Sequence, residues 1–327
     1  MEQRKLGRQG LSVSAEGLGC MGMSAFYGPS DEQENLATLA RAIDLGIDFF
    51  DTAEIYGPFK NEVLLGKAFA GKRDKVKIAT KVGSEVSDAG ERRPVNGTPE
   101  YIRKAIDRSL RHLGIDYVDL YYLHRIDPKV AIEESIGALA DLVAAGKVRY
   151  IGVSEAAPAT IRRAHKEHPL TALQTEYSLF ERTPEGNDVL NTVRELGIGF
   201  VAYSPLGRGF LTGQIKTPAD LDATDFRRAD PRFSQENIEA NLRLVERIKA
   251  VAANKGVTAS QIALAWVMAQ GTVPIPGTRR ERYLEENAAA AAITLTPADL
   301  DSIGAAAPAG ATAGERYTPQ GMASLNH

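Results

Sequence analysis

An acid, a phenol, an amine and an imidazole stand at or just beyond the ends of three successive apolar runs: Asp51 and Tyr56 in FFDTAEIYG, Lys81 in VKIATKVG and His124 in VDLYYLHR. A phenol, with its pKa of about 10, handles protons poorly near neutrality unless a neighbouring cation stabilises the phenolate. Lys81 would supply that cation, Asp51 would hold Lys81 charged and oriented, and His124 would hydrogen-bond to a substrate oxygen. Singly, each has a plainer use: Asp51 can cap the next helical segment, and Lys81 and His124 can be ordinary polar strand ends. All four at successive strand exits favour the chemical reading.

These residues can only meet if their elements converge. Short apolar runs recur at 16–20, 47–51, 76–80, 117–123, 148–153, 171–177, 198–203 and 272–275, each suited to a buried parallel strand. Amphipathic stretches between them fit helices ending at Gly46, Gly114, Gly146 and Gly197, since glycine tolerates the positive φ found just past a helix. Pro99 and Pro158 suit first helical turns. Strand and helix alternating without a composition break predict an α/β fold, a single (β/α)8 TIM barrel over residues 1–327 with a short N-terminal hairpin. In such a barrel, side chains at the C-terminal ends of the strands share one mouth, which would gather Asp51, Lys81 and His124 from strands two, three and four. The irregular stretch 204–236, after strand seven, reads as a functional loop, and the Ala-, Gly- and Pro-rich residues from about 305 to 327 read as a surface tail.

Composition narrows the partners. Hydrophobic residues make up 43% and charged residues 25%, as in a globular enzyme with a large core, and the net charge of -3 lacks the footprint of a nucleic-acid binder. A small-molecule partner is expected. No run is apolar and long enough for a secretory signal or a membrane span, and a single cysteine, Cys20, rules out an internal disulfide, so a cytoplasmic location is expected. GLGCMG at 17–22 matches a dinucleotide-binding glycine pattern, but MSAFYGPSDEQ separates it from any helical period, so the glycines read as a tight exit from the first strand. His112, His165 and His168 read as helix-surface residues, and no paired cysteines or HExxH suggest a metal. A hydrolase with Asp51 and Glu54 as paired carboxylates is a competing reading, but their shared loop controls spacing poorly and leaves Tyr56 and Lys81 unexplained.

DTAEIYG (51–57), KVG (81–83), DLYYLHR (119–125), GKVRYIGVSE (146–155), QTEYSL (174–179), VAYSPLGRGFLTG (201–213) and PIPGTRRERYLEEN (274–287) together closely resemble the aldo-keto reductase superfamily, and within it the bacterial and plant branch called family 13. The resemblance implies a nicotinamide-dependent carbonyl reductase with Asp51, Tyr56, Lys81 and His124 as catalytic tetrad and Tyr56 as general acid. It implies that Tyr203 stacks beneath the nicotinamide, that Ser154 and Gln174 hold its carboxamide, and that Asp51, Gly22 and Met23 border the cofactor groove. Ser204, Pro205, Leu206, Gly207, Arg208 and Gly209 would pass over the pyrophosphate. Gly277, Thr278, Arg279, Tyr283, Glu286 and Asn287 would surround the adenine end, where Arg279 and Thr278 match a ribose phosphate and so favour NADPH/NADP+ over NADH. A carbonyl substrate would lie near Phe26, Tyr27, Tyr56, Tyr122, His124 and Arg125. Many superfamily members have Ser-Asn where this chain has Ser154-Glu155, and an acid cannot donate to the carboxamide oxygen. A nicotinamide-retaining redox sensor resembling potassium-channel β subunits is the alternative within the same resemblance.

Overall fold

Side chains on a strand alternate between two faces, and in the computed structural model, which describes residues 1–326, Phe49 and Phe50 go to different cores. The chain opens with an antiparallel hairpin of β1 (Gln3–Lys5) and β2 (Ser12–Ser14). One eight-stranded parallel sheet follows in chain order: β3 (Leu18–Gly19), β4 (Phe49–Asp51) and β5 (Lys77–Val82), then, past a separate hairpin of β6 (Ser84–Val86) and β7 (Arg92–Val95), β8 (Val118–Leu123), β9 (Val148–Ser154), β10 (Ala172–Glu176), β11 (Gly199–Tyr203) and β12 (Val273–Pro274). Bonds from Gly17 N to the Pro274 carbonyl (3.0 Å) and from Gly19 N to the Pro276 carbonyl (3.3 Å) join the first strand to the last and close the barrel.

Phe49, Ala79, Leu120, Tyr122, Val201 and Ile275 fill the interior, and Leu6, Leu11 and Val13 of the hairpin join that cluster. Leu6 and Gly7 touch Gly199 at the start of β11, so the hairpin plugs the end of the barrel opposite the strand C-termini. Phe50, Ile78, Tyr121 and Leu123 point the other way, into the layer between sheet and helices. Phe50 packs 4.5 Å from Phe69 and ties the helix Lys60–Phe69 to β4; truncating such a buried phenylalanine costs about 3–5 kcal/mol.

The helix Pro99–Leu113 shows why these sequences fold locally as they do. Thr98 accepts a hydrogen bond from Tyr101 N, Pro99 occupies the first turn, and the chain leaves through Gly114 at φ 65°. Its inward face carries Ile102, Ala105, Ile106, Ser109 and Leu113, a spacing of three and four. Gly46, Gly146 and Gly197 likewise have positive φ.

The glycines of GLGCMG serve the barrel wall. A Cβ on Gly17 would lie 2.7 Å from the Phe49 ring and one on Gly19 would lie 2.8 Å from the Ile275 carbonyl, while the next α-helix begins only at Glu32. Two features differ from expectation. The hairpin β6–β7 went unrecognised because its turn, closed by Gly90 N to the Ser87 carbonyl (2.9 Å), sits in a polar stretch with no alternation. The tail is exposed over 308–311, but Arg316 and Leu325 are buried, so the segment is anchored rather than merely draped; His327, the last residue of the expected tail, lies outside the described residues.

Candidate active site

Parallel pairing sets the site. Asp51 is the last residue of β4, and β5 beside it carries Lys81 two residues past the partner of Asp51, Ala79. His124 follows β8, its amide bonded to the Val82 carbonyl (2.8 Å). Lys81 is fully buried, and its ammonium has a partner for each of its three donors: a short ion pair with Asp51 Oδ1, the Thr52 carbonyl (2.8 Å) and the Tyr56 hydroxyl oxygen (3.2 Å). The other Asp51 oxygen accepts from Gln174 Nε2 (2.7 Å). The Tyr56 and His124 rings meet edge to face with centroids 6.1 Å apart. The four residues therefore form one contiguous group.

The electrostatics give each a protonation state. Burial alone would lower the pKa of Lys81, but Asp51 and then Tyr56 outweigh it, so the ammonium is held above its ordinary value. Burial raises the Tyr56 pKa, and the opposing pull of Lys81 leaves it above the usual phenol value. The lowering by Lys81 expected from the sequence is thus present but smaller than the effect of burial, and the phenol keeps its proton. Because Lys81 donates to the phenol oxygen, the O–H is directed elsewhere. Burial, Arg125 and Lys81 push His124 well below its ordinary value, so it is a neutral imidazole, and its Nδ1 has no partner among the described residues.

Glu54 belongs to the support. Its carboxylate accepts from Gly83 N (3.1 Å), the Tyr101 hydroxyl (2.9 Å) and Arg108 Nη2 (2.9 Å), pinning the Tyr56 loop to the end of β5. Burial pushes its pKa up to about 8 against the pull of Tyr101 and Arg108. Asp51 and Glu54 thus have separate partners, each carboxyl engaged by its own cation. Asn61 fixes the loop from behind, accepting from the Thr52 hydroxyl (2.6 Å) and donating to the Cys20 carbonyl (2.8 Å).

Other expected residues line the same rim. Ser154 ends β9, Gln174 lies on β10 and Tyr203 ends β11. The loop from Ser204 to Gly209 is tightly coiled, with positive φ at Ser204, Gly207, Arg208 and Gly209. The Arg208 side chain, however, turns into a buried carboxylate cluster, pairing with Glu176 (2.7 Å) and Asp230. Phe226 N bonds to the Phe26 carbonyl (2.9 Å), Tyr27 and Phe226 lie edge to face at 5.2 Å, and Arg92 of the unforeseen hairpin lies over the Phe26 ring at 4.5 Å. Arg279 reaches the Gly28 and Pro29 carbonyls, bringing the loop that holds Gly22 and Met23 against residues 277–279. Thr278 caps its own turn through Arg280 N (3.1 Å), Tyr283 accepts from Arg282 (2.7 Å), Glu286 accepts from the Thr258 hydroxyl (2.7 Å), and Asn287 is buried.

Sequence reading missed the ion cluster behind this rim. Glu155, at φ 53°, receives both Arg316 nitrogens (3.0 and 2.6 Å) and the Glu176 amide (3.0 Å), so its carboxylate is fully engaged by the protein. Tyr317 places its hydroxyl 2.9 Å from that of Tyr203. Arg232 pairs with Glu181 (2.6 Å). One signal was available: Glu176 sits two residues from Gln174 on β10 and so shares its face. For Arg316 and Tyr317, arriving from the far end of the chain, there was none.

Known proteins share this fold. The chain matches a glycerol dehydrogenase of Gluconobacter oxydans at 29% identity and TM-score 0.84, over 94% of this chain and 95% of the other. It matches an aldo-keto reductase of Bacillus halodurans, in its holo form, at 28% identity and TM-score 0.81, over 94% and 97%. A thermostable aldo-keto reductase in complex with the inhibitor epalrestat matches at 29% identity and TM-score 0.76, over 94% and 100%. A sequence model of the Aldo/keto reductase family aligns with residues 17–307, a span from the first barrel strand through the helix Pro297–Ala306, and the chain thus belongs to that family of oxidoreductases.

Proposed function

We propose that the protein reduces an aldehyde or ketone to an alcohol with NADPH, using Asp51, Tyr56, Lys81 and His124, and that it belongs to the family 13 branch its motifs resemble. The observation that carries this reading is the contact of a buried, charged Lys81 with the Tyr56 hydroxyl, edge-on to a neutral His124. The residues present fit a phosphorylated nicotinamide dinucleotide. Gln174 spends its amide nitrogen on Asp51 and keeps its carbonyl for a carboxamide. Arg279 forms no ion pair among the described residues, and burial together with Arg280 and Arg227 lowers its pKa, a local excess of positive charge that a bound phosphate would relieve.

When bound, the reduced nicotinamide supplies a hydride to the carbonyl carbon. The chain supplies the rest. His124 and Tyr56 direct donors at the carbonyl oxygen, so the electron pair leaving the C=O bond arrives where hydrogen bonds already converge. Tyr56 gives its proton to that oxygen, completing the alcohol, and Lys81 stabilises the phenolate left behind. Asp51 keeps Lys81 charged throughout. Purified protein with NADPH and a reactive aromatic aldehyde should consume reduced-nicotinamide absorbance, and Tyr56→Phe should bind NADPH yet lose about 10²–10⁴-fold in rate, the range of general acid catalysis. No turnover across a broad carbonyl panel, even with tight NADPH binding, contradicts the proposal.

A further inference from the structure

The barrel mouth holds a cation that no carboxylate of the described residues pairs with. Arg125 follows His124 directly, donates to the His124 carbonyl (2.9 Å) and approaches the Ser154 hydroxyl at 3.5 Å. Its neighbouring cations are matched, Lys81 by Asp51 and Arg316 by Glu155. Glu155 is the carboxylate whose field reaches Arg125, but Arg316 and the Glu176 amide occupy its oxygens. The other groups facing Arg125 are the phenols of Tyr203, Tyr317 and Tyr56. The side chain is half-buried, open enough for a small molecule to reach and dry enough to make a charge-assisted bond strong. A guanidinium has five N–H donors in a planar fork, and Arg125 retains most of them for an outside acceptor.

We infer that the carbonyl substrate carries a carboxylate, which Arg125 binds beside Tyr56 and His124. The inference rests on the reductase reading above and adds a substrate class to it. The planar fork matches two coplanar oxygens, and fixing them next to the catalytic pair would orient the carbonyl over it.

The test compares 4-formylbenzoate with its methyl ester, and 3-formylbenzoate with its ester, in the native protein with NADPH. The acid should be favoured in kcat/KM by about tenfold to hundredfold, the factor one charge-assisted hydrogen bond supplies. In Arg125→Met the acid-to-ester ratio should fall to about one, with Arg125→Lys in between; because the ratio is taken within one variant, a smaller folded fraction cancels. A native ratio at or below one, or a ratio unchanged in Arg125→Met, overturns the inference while leaving the reductase reading intact. Weaker NADPH binding in Arg125→Met with an unchanged ratio would assign the residue to the cofactor and also overturn it. If neither aldehyde is reduced, the broad carbonyl panel decides the reductase reading. Calorimetric binding of 4-(hydroxymethyl)benzoate in the presence of NADP+ then decides the carboxylate site: tighter binding to native than to Arg125→Met supports it, and equal affinity sinks it.

Discussion

Replacing Lys81 by methionine separates two roles that one side chain holds together. Methionine fills much of the space but removes the ammonium that bonds to Asp51, the Thr52 carbonyl and Tyr56. Asp51 would keep only Gln174 as a partner while fully shielded from water. Breaking a buried ion pair from one side costs about 3–5 kcal/mol, because the remaining charge is uncompensated. Burial raises the Asp51 pKa from 3.8, and without Lys81 nothing charged opposes that rise. The folded variant therefore holds a proton that the unfolded chain releases, so the deficit is small below the ordinary carboxylate pKa and grows as pH rises above it. Asp51→Asn in the same background removes the charge and still accepts from Gln174, and should recover about 2 kcal/mol or more of the loss. It should not recover reduction, since Tyr56 in both variants lacks the cation that stabilises its phenolate; a rate loss of about 10²–10⁴-fold should persist. Urea unfolding at several pH values and single-turnover kinetics measure the two effects independently. A double variant no more stable than Lys81→Met, or a Lys81→Met protein that reduces aldehydes at the native rate, would refute the reasoning.

Three other perturbations follow from named contacts. Glu16 is wholly buried with both carboxylate oxygens unpartnered among the described residues, and burial pushes its pKa up to about 8 from 4.5, so stability should fall as pH rises through that window; the fall comes to about 3 kcal/mol by neutral pH at 1.36 kcal/mol per pKa unit, and Glu16→Leu should flatten it in thermal melts. Because burial lifts Glu54 to about 8, Arg108→Met should lower urea stability by about 1–3 kcal/mol near neutrality, where a largely protonated Glu54 loses a hydrogen-bond partner, and by more once pH rises above that value and the acid is charged without its cation; a loss that does not depend on pH across that range would refute this. Arg279→Met should weaken NADPH binding about tenfold to hundredfold relative to NADH, and equal losses for both cofactors would detach Arg279 from the ribose phosphate.

Local chemistry made the barrel and the meeting of these side chains at its mouth legible. Strand ends, helix caps and glycine exits are short-range signals, and the barrel converts position along a strand into position at the mouth. That is why Asp51, Lys81 and His124 could be placed together from three runs of sequence. The contacts that went unread are long-range. Arg316 reaches Glu155 across 161 residues, and its flanking sequence of Ala, Gly and Pro has no periodicity to say where it docks. Arg208 was readable as part of a glycine-rich loop, but its side chain follows two acids, Glu176 and Asp230, that lie 32 and 22 residues away in opposite directions.

Those acids also explain why the insertion and the tail meet on this face of the barrel. Glu155 and Glu176 stand just past β9 and at the end of β10, where adjacent parallel strands bring like charges close in a dry environment. Burial raises the Glu176 pKa, while Arg208, Arg232 and Arg316 draw it back. Two of these arginines come from the insertion and one from the tail, so neutralising the rim requires both segments to dock. An apolar rim of similar volume could be as stable, since buried ion pairs recover little beyond their desolvation cost. What charge adds is direction: a bidentate Arg316–Glu155 pair fixes the tail in one register, and that register sets Tyr317 against Tyr203. The rim thereby determines the shape of the site from segments that sequence proximity would never have joined.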